Sequence, residues 1–196
     1  MANRNGRKYG FTGLFPIKPG GHSSRLRNYL RSLDRHRYGS PLSDLDIVHM
    51  ARWTIIERLP YQGLPAKRDI LQSQYLLFLC DFDGESVDAL VWDFVRFSPH
   101  LLIRVWGHCV GFPGARSGEA LAIYFEQCQL NTDLLLADVP DATVNEILRA
   151  LVCRRMLADL IDRKQRNGWT SSALQNQFQQ MWAMLSAVGR VQPGSL

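Results

Sequence analysis

The residues best suited to chemistry in this chain form two groups, and the first lies on a predicted strand. His49 and Arg52 stand within the segment Val48-His49-Met50-Ala51-Arg52-Trp53. A histidine can act as a general acid or base near neutral pH, and an arginine can hold an anionic group or developing charge. Side chains three apart on a strand point to opposite faces, so these two converge on one ligand only where a β-bulge intervenes.

The neighbours of Arg52 are apolar, and a buried guanidinium requires a carboxylate or an anionic ligand. Asp81 or Asp83, at the end of the next predicted strand, would supply the carboxylate. An internal Arg–Asp pair and an anion-binding role therefore stand as equal alternatives for Arg52. For His49 the favoured alternative to a chemical role is a core histidine bonded to backbone.

The second group lies in a glycine-rich segment, Trp106-Gly107-His108-Cys109-Val110-Gly111-Phe112-Pro113-Gly114. Irregular segments on a rigid scaffold commonly carry functional sites, and His108 suits a general base, a metal ligand or a haem ligand. Adjacent residues of an extended segment rarely bind one metal, so a joint His108–Cys109 site is not expected. The alternative is a tight turn whose aromatic residues simply pack.

These patterns give two sets of candidate residues. The candidate catalytic residues are His49, Arg52 and His108, and the candidate substrate-binding residues are Trp53, Asp81, Trp106 and Phe112. No metal site is expected beyond a haem ligated by His108. The chain contains no Walker A, Rossmann glycine, H-E-x-x-H or G-x-S-x-G motif, so nucleotide hydrolysis, dinucleotide redox chemistry and zinc proteolysis are not expected.

Period-two alternation and β-branched or aromatic content predict four strands, at Tyr9–Phe15, Ile47–Ile56, Tyr75–Phe82 and Thr132–Val139. Three helices are predicted between these strands: one capped by Ser23 or Ser24 that ends before Gly39, one capped by Asp83, and a short one over Ala120–Gln129. A fourth begins with a capping box at Thr143 and ends near Ile161. The last is an amphipathic helix with the apolar residues Leu174, Phe178, Met181, Trp182 and Leu185.

This order of elements predicts an α+β fold with a ferredoxin-like βαββαβ antiparallel sheet and additional C-terminal helices. Over Tyr9–Ile161 it resembles the dimeric α+β barrel superfamily. The resemblance implies a homodimer with a pocket on the open sheet face of each subunit. Some enzymes of that superfamily, the dye-decolourising peroxidases and chlorite dismutases, hold haem with one histidine. It therefore makes haem a candidate cofactor, with His108, His100 or His49 as its ligand.

Composition favours one packed domain with short extensions. The chain has 196 residues, 46% hydrophobic and 21% charged, with a net charge of +5. We expect a flexible basic arm over residues 1–8, a ferredoxin-like domain over 9–166, and a C-terminal amphipathic helix and tail over 167–196. The four scattered cysteines, the polar N-terminus and the lack of a long apolar run predict a cytoplasmic protein that does not enter membranes.

Three functional hypotheses follow. The first is an enzyme for a small organic substrate, an oxidoreductase with haem or a cofactor-independent enzyme, with its apolar pocket on the open sheet face. The second is a non-catalytic oligomerisation or partner-binding module that uses that face and the C-terminal helix. The third is an RNA-binding module, suggested by the basic helix Arg25–Arg37. The third is the least expected, because the aromatic strand motif of RNA-recognition domains is missing.

Overall fold

A computed structural model describes residues 3–33, 40–61, 63–65 and 71–191. These residues form an α+β fold with one sheet, which confirms the predicted class. Its strands are β1 (Arg4–Asn5), β2 (Lys8–Pro16), β3 (Val48–Ile56) and β4 (Tyr75–Asp83). Its helices are α1 (His22–Ser32), α2 (Val87–Phe97), α3 (Pro99–Trp106), α4 (Gly118–Cys128), α5 (Val144–Asn167) and α6 (Ser171–Ala187).

The sheet is antiparallel throughout, with the order β1-β2-β4-β3. Strand β4 lies in the centre and pairs with β2 from Lys8 opposite Asp83 to Pro16 opposite Tyr75. Strand β3 pairs with the other edge of β4, and a β-bulge interrupts this register between Val48 and Met50.

One face of the sheet carries the hydrophobic core. Alternate residues of β4 are buried, and the core of helices α1 to α4 packs against them and against the aromatic residues of β2. Trp106 of α3 is fully buried and lies edge-on to Phe15 and Phe78, with their ring centroids 5.8 Å and 5.0 Å from its own. The aromatic residues thus fix the helices to one face, and the opposite face stays open.

The predicted fourth strand, Thr132–Val139, is wrong, and the βαββαβ order is not confirmed. This segment forms no regular secondary structure, and Leu134 and Leu136 are strongly exposed. The edge of β2 is occupied at two places, because β1 pairs with Tyr9 and Lys8 and the residues after α4 bond to Gly13 and Thr12. The segment instead lies beside β1, where the Asn5 amide donates to the Leu135 carbonyl at 3.0 Å.

The N-terminal residues expected as a basic arm contribute to the sheet instead. Within residues 1–8, Arg4–Asn5 form β1 and Lys8 begins β2, while residues 1–2 lie outside the described part of the chain. The backbone N–H of Gly10 also donates to the Asn3 carbonyl at 2.9 Å. Pairing with β2 gives these polar residues an ordered edge position that their composition alone does not indicate.

The helix termini differ from prediction at three points. Helix α1 begins after Gly21, which has a left-handed conformation, and not after Ser23 or Ser24. Helix α2 begins after Ser86, and Asp83 belongs to β4. Helix α5 continues past Ile161 to Asn167, where Gly168 ends it in the left-handed conformation. The predicted continuation of α1 toward Gly39, with Arg35 and Arg37, lies outside the described residues.

Helices α5 and α6 form an antiparallel hairpin attached near the end of the sheet that carries Lys8 and Asp83. The predicted capping box at Thr143 is confirmed, since its hydroxyl accepts from the Glu146 N–H and the Glu146 carboxylate accepts from the Thr143 N–H. Arg190, beyond α6, forms an ion pair with Asp46, before β3. No helix within the described residues is both long enough and apolar enough to cross a membrane.

Candidate functional site

A buried polar cluster, the sheet-end cluster, is formed by Lys8 of β2, His49 of β3 and Asp83 of β4. The Nε2 atom of His49 lies 2.7 Å from Oδ1 of Asp83 and 2.6 Å from Nζ of Lys8. The side chains of Lys8 and Asp83 are 8% and 11% exposed. The β-bulge between Val48 and Met50 turns His49 to the open face of the sheet, where these partners lie.

The Nε2 atom of His49 lies within hydrogen-bond distance of both Lys8 and Asp83, but it can form only one of these two hydrogen bonds at a time. Nε2 of His49 either accepts from Lys8 or donates to Asp83, depending on its protonation. With a neutral histidine, the buried ammonium and carboxylate neutralise each other at 3.8 Å. The arrangement has the residue types of an acid–base site, but it is closed to a substrate by its burial.

The outer contacts of the sheet-end cluster indicate a structural role. Oδ2 of Asp83 accepts the backbone N–H of Val144 at 2.7 Å, and Nζ of Lys8 donates to the Ala142 carbonyl at 2.8 Å. Asp83 therefore satisfies a free N–H in the first turn of α5 and places a negative charge at the positive end of that helix. The cluster fastens the start of α5 to the end of the sheet.

Asp81, a candidate substrate-binding residue, lies on the same open face next to this cluster. Burial raises the pKa of its carboxyl group, while the neighbouring His49 and Lys8 lower it. The side chain of Leu135 covers the adjacent Gly10, where a Cβ atom would approach it to 2.9 Å. The carboxyl group is therefore confined between the sheet-end cluster and an apolar side chain.

Arg52, a candidate catalytic residue, is exposed on the open face, which differs from the burial predicted for it. It pairs in register with Leu79, one step along the same face from Asp81. Among the described residues, neither Asp81 nor Asp83 forms an ion pair with it. A solvated guanidinium needs no internal partner, so the predicted internal Arg–Asp pair is wrong, and the anion-binding role of Arg52 stays a prediction.

The aromatic candidates belong to the core on the opposite face. Trp53 stacks on Phe78 with ring centroids 5.3 Å apart, and Trp106 is 0% exposed. Phe112 packs edge-on to Tyr124 at 6.2 Å. Trp53 and Trp106 are separated from the open face by the sheet itself, so they cannot line a pocket there.

His108, the third candidate catalytic residue, pairs with His22 at the beginning of α1. Their Nδ1 atoms are 3.0 Å apart. The chain next to His108 is held to the end of β2, since the Lys18 N–H donates to the His108 carbonyl and the Val110 N–H donates to the Pro16 carbonyl. His22 was not identified from the sequence, because 86 residues separate it from its partner.

The two predicted groups of chemical residues do not meet. His49 lies at the Lys8 end of β2, and His108 lies beyond its Pro16 end. Nine residues of strand separate these ends, which is about 26 Å at a rise of about 3.3 Å per residue. An active site that combines His49 with His108 is therefore excluded by the geometry.

The residues around the three candidate histidines do not fit haem. Nε2 of His49 is engaged by Asp83 and Lys8, and His100 is exposed in the first turn of α3. Beside His108, Trp106 and Cys109 are fully buried in the core, and Nδ1 of His108 contacts His22 at 3.0 Å. These three histidines are therefore unsuited as haem ligands.

The buried cysteines are poor nucleophiles. Burial raises the pKa of the Cys109 thiol to about 12 and holds the pKa of the Cys80 thiol well above its usual value. Because the thiolate is the reactive form, both side chains act as small hydrophobic residues.

Asp93 of α2 is a further perturbed carboxyl group that the sequence did not single out. Its Oδ2 atom is buried and has no partner within the described residues. Burial and the nearby Asp46 raise its pKa from 3.8 to about 6, against the opposing effects of Arg190 and two backbone N–H groups. The folded state therefore holds a proton that the unfolded chain releases at lower pH.

We expect Asp93 to reduce stability as the pH rises from about 4 to about 6, because its pKa in the folded state exceeds its pKa in the unfolded state. The substitution Asp93→Asn keeps an acceptor for the backbone N–H groups and removes this dependence. After allowance for partial solvent exposure, the expected gain at neutral pH is about 1 kcal/mol. Urea unfolding at several pH values measures the difference, with Asp88→Asn, exposed on the same helix, as the control. Equal pH dependence of wild type and Asp93→Asn would contradict this prediction.

An apolar groove lies on the surface of the α5–α6 hairpin. This groove of about 550 Å³ runs between the two helices. Its apolar residues are Leu157, Leu160, Ile161, Leu174 and Phe178, and its only charged residue is Lys164. We call this surface, together with the neighbouring Trp182, the hairpin groove.

Comparisons of the chain with protein-family models, with curated proteins and with solved structures find no match.

Proposed function

We propose that this protein is a non-catalytic binding module that associates with a second copy of itself through the hairpin groove. The observation that carries the proposal is the exposure of large apolar side chains there. Leu157, Ile161, Phe178 and Trp182 are 40%, 47%, 44% and 56% exposed. Contiguous apolar surface of this kind is a mark of protein–protein contact sites.

The charge distribution favours a second copy as the occupant. Helix α6 contains no charged residue over its 17 positions, and the groove contributes one lysine and no acid. Two such faces meet across a two-fold axis without a row of like charges opposite each other. A partner of different chemistry would be selected by complementary charges, and the groove offers none beyond Lys164.

The dimensions of the hairpin are also sufficient. A helix of 17 residues is about 25 Å long, and two adjacent helices are roughly 20 Å wide. One face of the hairpin therefore offers about 500 Å² per subunit. Two copies bury about 1,000 Å² in total, which is the lower limit for a specific interface.

The open sheet face gives weaker support to a dimer. Met50 is 62% exposed on that face, but it is accompanied by the polar side chains of Arg52 and Thr54. Other apolar side chains of that face, such as Leu14, Leu77 and Leu79, are less exposed than most of those of the hairpin groove, which favours the hairpin as the interface.

An enzymatic function for a small organic substrate has less support. The acid–base constellation at His49 is closed by burial and holds α5 in place. Its second predicted half, His108, lies at the other end of β2. The binding module accounts for the exposed groove, whereas the enzyme leaves the groove unexplained.

We also propose that the sheet is a ferredoxin-like sheet without its last strand. Strands β2 and β3 are both antiparallel to the intervening β4, so they run parallel to each other and are linked by α1. This is a split βαβ unit. The short β1 lies at the outer edge of β2, the position that a fourth strand would take.

The proposed dimer is tested by sedimentation velocity of the full chain over a range of concentrations. We expect the wild type to be dimeric and the variant Phe178→Asp/Trp182→Asp to be monomeric, because the dimer would bury both new charges. Both side chains are about half exposed, so the folded subunit should tolerate the change. Circular dichroism checks that it does.

The matched control is Asn176→Asp/Ala183→Asp, which adds the same charge to exposed positions elsewhere on α6. This control should remain dimeric. A wild type that is monomeric at every concentration would refute the proposal. A dimer that survives Phe178→Asp/Trp182→Asp but dissociates in Met50→Asp would place the interface on the open sheet face instead.

A further inference from the structure

A second polar cluster, at the end of the sheet opposite the hairpin, consists of basic groups from separate elements. Lys18 comes from the turn after β2, and His22 and Arg25 come from the first turn of α1. Arg104 lies in α3, and His108 follows it. Burial is the largest cause that lowers the pKa of His108, and the other four basic groups of the cluster lie close enough to lower it further.

None of these five basic groups forms an ion pair with a carboxylate within the described part of the chain. Their contacts are to neutral acceptors instead. Nζ of Lys18 donates to the Gly107 carbonyl at 2.9 Å, and Nη2 of Arg25 donates to the Gly20 carbonyl at 2.9 Å. Carbonyl oxygens position these cations but leave their charge uncompensated, so the cluster attracts an anion.

The histidine pair adds a proton-dependent element to this cluster. Only one of the two facing Nδ1 atoms can carry a proton in the 3.0 Å contact, so at most one of the two rings can be positively charged without repulsion there. An anion placed against the pair would stabilise that positive charge. The rings are partly exposed, which leaves them accessible from solvent.

The turn beside the pair has room for such a ligand. Gly20 and Gly21 have φ values of 85° and 82°, and no atom lies within 4 Å of the position where either would carry a Cβ. The backbone N–H groups at the start of α1 follow directly, and they have no side-chain cap. These features add to the basic cluster, which provides the main attraction.

A metal ion is a less suitable ligand for the same histidines. Two nitrogens 3.0 Å apart can bind one cation, but Lys18, Arg25 and Arg104 oppose a second positive charge there. The described residues also contain no group of three or more metal-binding side chains. The surrounding charge therefore favours an anion.

We propose that Lys18, His22 and His108, assisted by Arg25 and Arg104, form a binding site for the phosphate group of a small molecule. The site is centred on the single His22–His108 contact, which suits one anion, whereas nucleic acids are held at several successive phosphates. Arg104 lies over one face of the Tyr29 ring, with its Cζ atom 4.7 Å from the ring centroid, so that face is not available for stacking on a base. This proposal is independent of the proposed self-association.

The test is an amide and histidine-ring NMR titration of the full chain with sulfate and, separately, with inorganic phosphate. We expect saturable shifts confined to residues 18–25 and 104–109. Sulfate keeps its charge over the pH range in which imidazole groups ordinarily titrate, so its affinity should fall as the pH rises. Shifts that do not saturate, or that lie elsewhere, would show an adventitious ion only and overturn the proposal.

The variant His22→Gln/His108→Gln should bind sulfate at least about tenfold more weakly, because it removes charge-assisted hydrogen bonds. It should also lose the pH dependence. Lys18→Gln, which leaves the histidine pair in place, should weaken binding but keep the pH dependence. The matched control His100→Gln changes an exposed histidine outside the site and should bind as the wild type does.

Two further ligands separate the alternatives. Zn²⁺ that binds the wild type in the same segment and is lost in His22→Gln/His108→Gln would replace the anion site with a metal site. A single-stranded RNA oligonucleotide that binds there with steep salt dependence, while sulfate does not saturate, would indicate a nucleic-acid surface. Either result would refute a site for a small phosphorylated molecule.

Discussion

The substitution Asp83→Ala is expected to lower the free energy of unfolding by about 3–5 kcal/mol, since it leaves the buried ammonium group of Lys8 without its counter-charge. The carboxylate it removes is 11% exposed and serves three partners. It contacts His49, neutralises Lys8 and accepts the backbone N–H of Val144. Alanine replaces none of these contacts. Urea unfolding of the full chain measures the change.

The matched control for Asp83→Ala is Glu85→Ala, two residues further along the chain. Glu85 forms an ion pair with Arg4 at 3.3 Å, but its side chain is 84% exposed. Pairs in this setting contribute less than about 1 kcal/mol. If Asp83→Ala costs no more than Glu85→Ala, the sheet-end cluster is not a structural anchor.

A double substitution distinguishes loss of a counter-charge from loss of packing. Replacing both charged groups in Lys8→Met/Asp83→Leu removes the buried ion pair without leaving an unpaired charge. We expect this variant to be more stable than Asp83→Ala. A double variant as unstable as Asp83→Ala would assign the loss to the contacts with Val144 and His49 instead of to the unpaired ammonium group.

The three long strands could be predicted from the sequence to within one residue at each end. Their β-branched and aromatic content is local information, and Tyr75–Asp83 shows the alternation directly, with every second residue buried. The segment Thr132–Val139 has similar apolar content but is not a strand. Whether this segment pairs as a strand depends on whether the edge of β2 is free, and the polar residues Arg4–Asn5 pair at that edge.

The polar clusters could not be predicted as clusters, because each joins residues that are distant in the chain. Lys8 and His49 are 41 residues apart, and His22 and His108 are 86 residues apart. The sequence identified one member of each pair by its residue type. It could not supply the partner, since a single lysine or histidine next to glycine and polar residues is typical of solvated positions.

The bulge in β3 shows how a small irregularity changes the interpretation of a site. Regular alternation would place His49 on the core face with Trp53, and an acid–base role would then face the helices. One extra residue between Val48 and Met50 moves His49 to the open face beside Asp83. The possibility of a bulge was visible in the sequence, but its position depends on the pairing of β3 with β4.

Trp106→Ala is expected to cost about 3–5 kcal/mol of stability, because it empties the centre of the core. Trp106 is 0% exposed, and its ring lies within 6 Å, between centroids, of Phe15, Phe78, Phe94 and Phe125. Trp106→Phe should lose much less, since it keeps an aromatic ring and removes an indole N–H that has no partner among the described residues. Thermal and urea unfolding measure both changes.

The control for Trp106→Ala is Tyr61→Ala. Tyr61 is a large aromatic residue that is 76% exposed, so its replacement should change the free energy of unfolding by less than about 0.5 kcal/mol. The comparison also decides between two roles for Trp106. A tryptophan that only binds substrate would be dispensable for folding, so a Trp106→Ala protein of unchanged stability would support the substrate-binding role predicted from the sequence. A loss of several kcal/mol would assign Trp106 to the core, because a side chain enclosed by four aromatic rings on the helix-covered face has no surface left for a ligand.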